Sequence, residues 1–295
     1  MQYSMSFGKL SKAAPVKQGV GATFGLYILG DFSGRANRGE LETGAALASR
    51  KPRRVDIDNL DDVLASMQLK LNLPIGDEGA AVEVAISSID DFHPNELYEN
   101  VALFAKLAGF RQHLANSATF AGLAGQMQAW ADAGPADGVR RRVKPRGTAI
   151  PNAKLSDFQR LVGASTATAT ETSVGELIKQ IVRPHIKPHA TAEQAETLAS
   201  IDASLTAAMR RLLHHPDFQT LEALWRTIDL VVRELETDQN LQVILYDISA
   251  EEVAADLSSS DNLEETGLYQ LLVEQPALDG RTTPPAAIVG NYRFE

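Results

Sequence analysis

FGLYILGDFSG, residues 24–34, is the part of the sequence that says most about the fold. It begins with a mostly apolar run, and its second half combines glycines with an aspartate and a serine. An apolar run bounded by turn residues predicts a buried β-strand that leads into a turn. The turn lacks the Gly-Lys-Ser/Thr ending of a phosphate-binding loop. Its serine also lacks the glycines that a nucleophile elbow places two positions away on both sides, which favours a structural role.

The sequence downstream of this strand predicts a hairpin and a pair of helices. Apolar and polar residues alternate over 69–73 and again over 82–86, which is the period of half-buried strands, and a glycine-containing turn joins them. Pro94 suits the first turn of a helix, and a second helical stretch follows from Phe120 to Trp130. We therefore expect residues 21–134 to form a small β-sheet unit with a helical hairpin.

The segments on either side of this unit have the composition of connecting chain. Residues 1–20 are predicted to be a flexible arm, and residues 135–174 a linker. The linker holds a basic cluster, RRRVKPR over 140–146, which we interpret as solvated chain rather than as a phosphate-binding arm. One amphipathic triplet at helical spacing predicts a short helix within the linker: Leu155, Phe158 and Leu161.

Residues 175–295 predict a second, helix-rich α+β unit with short strands. Strands are expected over 241–246 and 286–289, and Ser249 with Glu252 has the spacing of a capping box. The helix that follows Pro216 has apolar residues at alternating spacings of three and four along one face. We call this face the helix seam, and its residues are Phe218, Leu221, Trp225, Ile228 and Val232. The predicted fold class of the whole chain is α+β.

The composition is that of a globular protein, with 295 residues, 44% hydrophobic and 22% charged. The absence of cysteine excludes disulfides, thiolate metal sites and cysteine nucleophiles. The net charge is −10, and from Asp229 to Glu274 twelve acidic residues stand against Arg233 alone, which argues against nucleic-acid binding. Without a long apolar run or a secretory signal, we expect no membrane insertion and a cytoplasmic location.

The histidines are the residues that come closest to suggesting an active site. His214 and His215 are adjacent, so on a helix their side chains diverge by about 100° and do not converge on one ion. His185 and His189 have the spacing of a zinc-binding helix, but a proline precedes each of them. We therefore predict no catalytic residue, no cofactor and no metal. A metal-dependent or phosphotransfer enzyme that uses His214 or His215 is the least favoured hypothesis.

Three segments of the first unit resemble the small subunit of the type VI secretion contractile sheath. They are ILGDFSGR over 28–35, RKPRRVD over 50–56 followed by DNL over 58–60, and ISSIDDFHP over 86–94. These segments stand in the order found in that family and with similar spacing. The first unit is therefore expected to have the fold of that subunit.

The second unit resembles the N-terminal part of the large sheath subunit. LLHHPDFQ over 212–219 and LEALWR over 221–226 match a helix junction of that subunit, and residues 241–249 and 288–294 match its following strands. Members of the family usually have aspartate where this chain has Asn291. They also usually encode the two subunits as separate chains, and their large subunit continues further, to a C-terminal strand that helps link neighbouring protomers.

The resemblance implies a structural component of the contractile sheath, which assembles by protein–protein contacts around an inner tube and contracts to drive effector delivery. The implied partners are other sheath subunits, the inner tube protein, the AAA+ ATPase that disassembles the sheath, and the baseplate. The chain is expected to be part of a homo- or hetero-oligomer. The alternative is an adaptor or regulator of sheath assembly that has the sheath fold but does not itself form the tube.

The resemblance also assigns three candidate contact sites. The strand at 24–29 is the candidate for strand exchange with neighbouring molecules, through Phe24, Leu26 and Ile28. The helix seam is the candidate for docking the small-subunit part against the large-subunit part. The triplet at 155–161 lies where the large subunit has its first short helix, which recruits the ATPase in the family; the alternative is that it docks on this protein itself.

Overall fold

The structure is a computed structural model that describes residues 23–75, 81–132, 174–186, 194–279 and 283–292. The predicted arm at 1–20 lies outside the described residues. So does the linker up to residue 173, together with its triplet Leu155, Phe158 and Leu161. Below, "N-terminal region" means residues 21–134 and "C-terminal region" means residues 174–295.

The N-terminal region contributes four strands and six helices to the described structure. The strands are β1 (Phe24–Gly30), β2 (Arg53–Val55), β3 (Leu69–Pro74) and β4 (Ala81–Ile86). The helices are α1 (Arg35–Arg38), α2 (Ala45–Ala48), α3 (Leu60–Ser66), α4 (Pro94–Asn100), α5 (Ala102–Ala115) and α6 (Ser117–Asp132).

The C-terminal region contributes two strands and six helices, besides a π-helical turn over Gln270–Glu274. The strands are β5 (Leu241–Asp247) and β6 (Pro285–Gly290). The helices are α7 (Val174–Val182), α8 (Gln194–Leu213), α9 (Pro216–Glu234), α10 (Ala250–Leu257), α11 (Gly267–Tyr269) and α12 (Gln275–Asp279).

The main sheet combines strands of both regions in the order β2-β5-β1-β6. Strand β1 runs parallel to β5 on one side, with Leu26 opposite Val243, and parallel to β6 on the other, with Ile28 opposite Val289. The short strand β2 pairs antiparallel with β5. A strand of the N-terminal region is thus inserted between two strands of the C-terminal region.

The central strands of the main sheet, β1 and β5, are covered on both faces, as expected for parallel strands. On one face, the rings of Tyr27 and Tyr246 contact each other, with 5.4 Å between their centroids. They belong to a buried cluster that also contains Leu47, Leu268 and Leu271. The opposite face joins the larger core, which is built from the β3–β4 hairpin, the helical hairpin α5–α6, and helices α7 to α9. The chain therefore has one body built around a shared sheet.

The α+β class is confirmed, and so are several local predictions. The β3–β4 hairpin pairs Leu71 with Val84, both buried. Pro94 occupies the first turn of α4, and the capping box of Ser249 and Glu252 begins α10. The strands of the predicted first unit do not form one sheet of their own, because β1 and β2 pair with β5 rather than with the hairpin.

Candidate interaction site between the two regions

The predicted strand-exchange residues lie in the middle of the main sheet. Phe24 is 46% exposed, Leu26 is half-buried and Ile28 is buried. Both backbone edges of β1 are hydrogen-bonded to strands of the same chain, β5 and β6. In the described arrangement, another molecule can add a strand to β1 only where β5 or β6 comes away.

The helix seam lies against the N-terminal region, and all five of its side chains are buried. The Trp225 indole Nε1 donates a hydrogen bond to the Phe32 carbonyl at 3.0 Å, and the two rings meet edge to face at 5.4 Å between centroids. Phe218 meets Phe92 in the same manner at 5.8 Å. The two regions are thus joined by aromatic contacts as well as by the sheet.

A buried ion cluster forms where β1 and β5 end. The Glu252 side chain has no exposed surface, and its Oε1 lies 2.9 Å from the Arg35 Nη2 and 2.6 Å from the Arg50 Nη2. Its Oε2 accepts the Ser249 amide at 3.0 Å, which closes the capping box of α10. One carboxylate therefore caps a helix of the C-terminal region and binds two arginines of the N-terminal region.

The charged state of Glu252 is favoured by these arginines. Burial raises the pKa of Glu252, but hydrogen bonds from Arg50 and Arg35 outweigh that effect, so that its pKa lies below the ordinary value. Removing one partner of such a buried group leaves an uncompensated charge, which costs several kcal/mol. The cluster is thus a strong and specific link between the regions.

Asp256 makes a second buried link through backbone amides. Its carboxylate accepts hydrogen bonds from the amides of Gly44 at 2.6 Å, Gly267 at 3.1 Å and Leu268 at 2.8 Å. The two glycines pack so closely that a Cβ on Gly267 would lie 2.2 Å from the Gly44 carbonyl oxygen. No side chain larger than hydrogen fits there without movement of the backbone.

This contact predicts that Gly267→Ala destabilises the protein by about 1–3 kcal/mol or more, because backbone atoms have to separate. Gly122→Ala is the matched control, since a Cβ at this α6 position meets open space and alanine favours helix. Urea unfolding followed by circular dichroism measures both. Equal midpoints for the two variants would contradict the packing described here.

Two further carboxylates, Asp31 and Asp247, hold the turn after β1. Asp247 accepts the Ser33 amide at 3.1 Å, and Asp31 accepts the Arg35 and Ala36 amides at 2.6 and 3.0 Å. Burial raises the pKa of Asp31 to about 6, and the charge of Asp247 adds to the effect. The turn predicted from GDFSG is therefore held by acids of both regions.

The raised pKa of Asp31 predicts how stability changes with pH. Because the folded state disfavours the ionised carboxylate, stability falls as pH rises from about 4 to about 6, by roughly 3 kcal/mol. In Asp31→Asn this slope should become clearly smaller, with a remainder from Asp247, whose pKa burial also raises, while Asp62→Asn, at an exposed acid of α3, should keep the full slope. Unfolding midpoints measured from pH 4 to 7 test the expectation, and an unchanged slope in Asp31→Asn would refute it.

Two of the histidines in the described residues cap helices. His215 is the N-cap of α9, where its Nδ1 accepts the Asp217 amide at 3.2 Å, and His93 caps α4 in the same way through the Asn95 amide. His185 lies in a 3-10 turn, and His189 is outside the described ranges. Within those ranges, no three His, Asp or Glu side chains are placed to hold a metal ion.

Sequence reasoning found parts of this site and missed others. The capping box pointed to Glu252, and the turn after β1 was recognised, but Arg35 and Arg50 were not connected with either. Asp256 gave no signal, because a lone acid in an amphipathic helix is ordinary.

None of the helices in the described ranges is both long and apolar enough to cross a membrane.

Two family models match the chain, one in each region. "Type VI secretion system, VipA, VC_A0107 or Hcp2" matches residues 15–128. "EvpB/VC_A0108, tail sheath N-terminal domain" matches residues 195–295. Together they cover more than two thirds of the chain.

Two similar proteins come from Pseudomonas aeruginosa strain PAO1. Type VI secretion system sheath protein TssC1 is 31% identical over 100 residues, which are 33% of this chain and 20% of TssC1. Type VI secretion system sheath protein TssB1 is 29% identical over 102 residues, which are 33% of this chain and 57% of TssB1. The chain thus spans less than two thirds of the length of either relative. No solved structure matches the chain.

The matched residues include the elements that build the site, since β1 and Arg35 lie in the VipA match and Glu252 and β6 in the tail sheath match. Residues 15–128 therefore belong to the VipA family and residues 195–295 to the tail sheath N-terminal family, so that one polypeptide joins regions of two type VI secretion sheath proteins.

Proposed function

We propose that this chain is a structural component of the type VI secretion contractile sheath, in which the two subunit regions form one building block before assembly. The insertion of β1 between β5 and β6 carries the proposal. In this role the block assembles by protein–protein contacts around an inner tube and contracts to drive effector delivery. The role is structural and needs no chemistry at the histidines or carboxylates.

The buried link between the regions supports a block that moves as one piece. Separating the regions would expose the Trp225 side chain to water and would leave the Glu252 carboxylate without its two arginine partners. Each of these changes costs several kcal/mol, whereas exposed ion pairs cost about 1 kcal/mol or less to break. We therefore expect contraction to rearrange contacts between blocks and to leave this link intact.

Strand exchange through Phe24, Leu26 and Ile28 remains part of the proposal, with one condition. A neighbour's strand would have to replace β6, since β6 has β1 as its one neighbour in the described sheet, whereas β5 is held on both sides. The outer edge of β6 is uncharged and carries Ile288 and Val289, which are 47% and 48% exposed. Such an edge is prone to pair with another strand.

The remaining partners are proposed from the family alone. They are the inner tube protein, the disassembly ATPase and the baseplate, with the triplet Leu155, Phe158 and Leu161 as the proposed ATPase-recruiting helix. The proposed place of action is the bacterial cytoplasm. Each of these contacts concerns surfaces or residues outside the buried link between the regions.

Negative-stain electron microscopy tests the proposal directly. The full chain is imaged alone and after mixing with TssC1, and a gold label on the chain locates it in any assembly. Tubes or rings that carry label along their length are the expected result. Dispersed particles in both samples would overturn the proposal. Label found only at the ends of shortened tubes would overturn it in favour of an adaptor that caps assembly.

A further inference from the structure

Strand β6 differs from the other strands of the main sheet because it contributes no buried side chain. Its residues are half-buried or exposed along the whole strand, and Ile288 and Val289 are 47% and 48% exposed. The central strands β1 and β5 each bury four consecutive residues. Among the described residues, none of Pro285–Gly290 belongs to either core cluster. The burial of apolar surface, which is the main source of stability, therefore holds β6 only weakly.

The backbone pairing of β6 is also limited. In the described sheet, β6 pairs with β1 on one side and has no strand on its other side. Its register with β1 shifts between Gly25 and Leu26. Pro285, the first residue of the strand, has no amide hydrogen to donate. The ladder is therefore regular only from Leu26 onwards.

A side-chain anchor ties the segment before β6 to both central strands. The Tyr27 hydroxyl of β1 donates a hydrogen bond to the Thr283 carbonyl at 2.6 Å. The Thr283 hydroxyl in turn donates to Oε1 of Gln242, a residue of β5, at 2.9 Å. We call these contacts the Thr283 anchor. They hold the beginning of β6 at the point where its ladder is irregular.

A second anchor lies at the other end of β6. The Tyr292 hydroxyl donates to the Ile248 carbonyl at 2.9 Å, and the Tyr292 side chain packs against the cluster that contains Tyr27 and Tyr246. Burial raises the pKa of Tyr292 and nearby carboxylates raise it further, so that the hydroxyl keeps its proton and remains a donor. Among residues 283–292, Tyr292 is the one that packs against a core cluster. We call this contact the Tyr292 anchor.

We infer that β6 opens as a unit while β1 and β5 stay paired, and that the Thr283 and Tyr292 anchors set how often it opens. Local opening of this kind occurs in segments with few buried apolar contacts, and it needs less free energy than unfolding of the whole protein. Opening frees the edge of β1 that the proposed strand exchange requires. The inference does not rest on the proposed function, since it concerns a single molecule.

Hydrogen exchange of the full chain, followed by NMR, tests whether β6 opens separately. The Asn291 amide, which donates to the Leu29 carbonyl at 2.9 Å, reports on the opening together with the ladder amides of β6. These amides should exchange at least about 10-fold faster than the ladder amides of β5, after correction for intrinsic rates. Their exchange should also respond less to low urea concentrations, because opening exposes less surface. Equal protection of both strands would overturn the inference and leave the proposed sheath role standing.

Two substitutions distinguish this local opening from unfolding of the whole protein. Tyr292→Phe keeps the ring but removes the bond to the Ile248 carbonyl, which is lost in the opened and in the unfolded state alike. It should therefore speed the exchange of β6 and β5 by the same factor, about 3-fold or more. Val84→Ala weakens the buried β3–β4 hairpin, which stays folded when β6 opens. It should speed β5 exchange by about 10-fold or more and leave β6 exchange unchanged.

Thr283→Val tests the other anchor, and Tyr98→Phe is the matched control. Valine keeps the shape of the threonine side chain without its hydroxyl, so that β6 exchange should rise by about 2-fold or more. Tyr98 lies on α4 and is 38% exposed, so that its substitution should change neither strand.

Two outcomes of these substitutions would contradict the inference. If Val84→Ala speeds β6 exchange as much as β5 exchange, β6 exchanges only when the whole protein unfolds, and the inference is overturned. If both Tyr292→Phe and Thr283→Val leave β6 exchange as it is in the natural chain, the anchors do not hold the strand.

Discussion

Replacing Glu252 with glutamine is expected to lower the free energy of unfolding by about 3–5 kcal/mol. Glutamine keeps the shape of the side chain, but it removes the buried negative charge that Arg35 and Arg50 share and leaves Glu42, which is 45% exposed, as their common acidic partner. Both arginine side chains are only 13% exposed, so that water cannot replace the lost carboxylate fully. Urea unfolding of the full chain at pH 7 measures the effect.

Glu251→Gln is the matched control for this substitution. It changes the neighbouring residue of the same helix, where no ion pair is formed in the described structure, so that only the interaction with the helix terminus is lost. That loss is about 0.3–1 kcal/mol. If the two variants lost the same stability, Glu252 would not link the regions as described.

The lowered pKa of Glu252 adds a pH signature to this prediction. A carboxyl group that is more acidic in the folded state stabilises the fold above its unfolded pKa and loses that contribution as pH falls below about 4.5. The natural chain should therefore destabilise steeply in acid. In Glu252→Gln the acid-dependent loss should be smaller, in a series of unfolding curves between pH 3 and pH 6.

Replacing Trp225 with alanine is the second large effect, at about 3–5 kcal/mol. The indole is fully buried, its ring packs on Phe32, and its Nε1 satisfies the Phe32 carbonyl. Alanine leaves a cavity and an unpaired carbonyl between the two regions. Because both regions share this core, we expect a single unfolding transition at a lower urea midpoint.

Two variants separate the causes of this loss. Trp225→Phe keeps an aromatic ring but not the hydrogen-bond donor, and we expect an intermediate loss of about 1–3 kcal/mol. Leu230→Ala, at a position of the same helix that is 58% exposed, should change stability by about 0.5 kcal/mol or less. A loss in Trp225→Ala no larger than that in Leu230→Ala would contradict the buried contact.

The elements that could be predicted from the sequence are those with a local signal. Alternating leucines and valines specify the β3–β4 hairpin, and the spacing of three between Ser249 and Glu252 specifies a helix start. The helix seam was found for the same reason, since its period lies within a single helix. The caps at His93 and His215 share a His-Pro pair that a closer comparison of the two segments could have found.

The parts that could not be predicted depend on contacts between distant residues. No pattern in β1 says that Leu26 pairs with Val243 rather than with the hairpin, because any buried parallel strand has the same apolar run. The meeting of Arg35 and Arg50 with Glu252 follows from that pairing. Once β1 is placed beside β5, the carboxyl ends of both strands bring these side chains together.

The insertion of β1 also has a consequence for synthesis on the ribosome. Strand β1 is synthesised long before its partners, residues 241–247 and 285–290. Pairings this far apart in sequence close late, and folds dominated by them form slowly. The backbone edges of β1 therefore stay unpaired until residues 285–290 have been translated. During this time an unpaired apolar strand is exposed to pairing with other nascent chains.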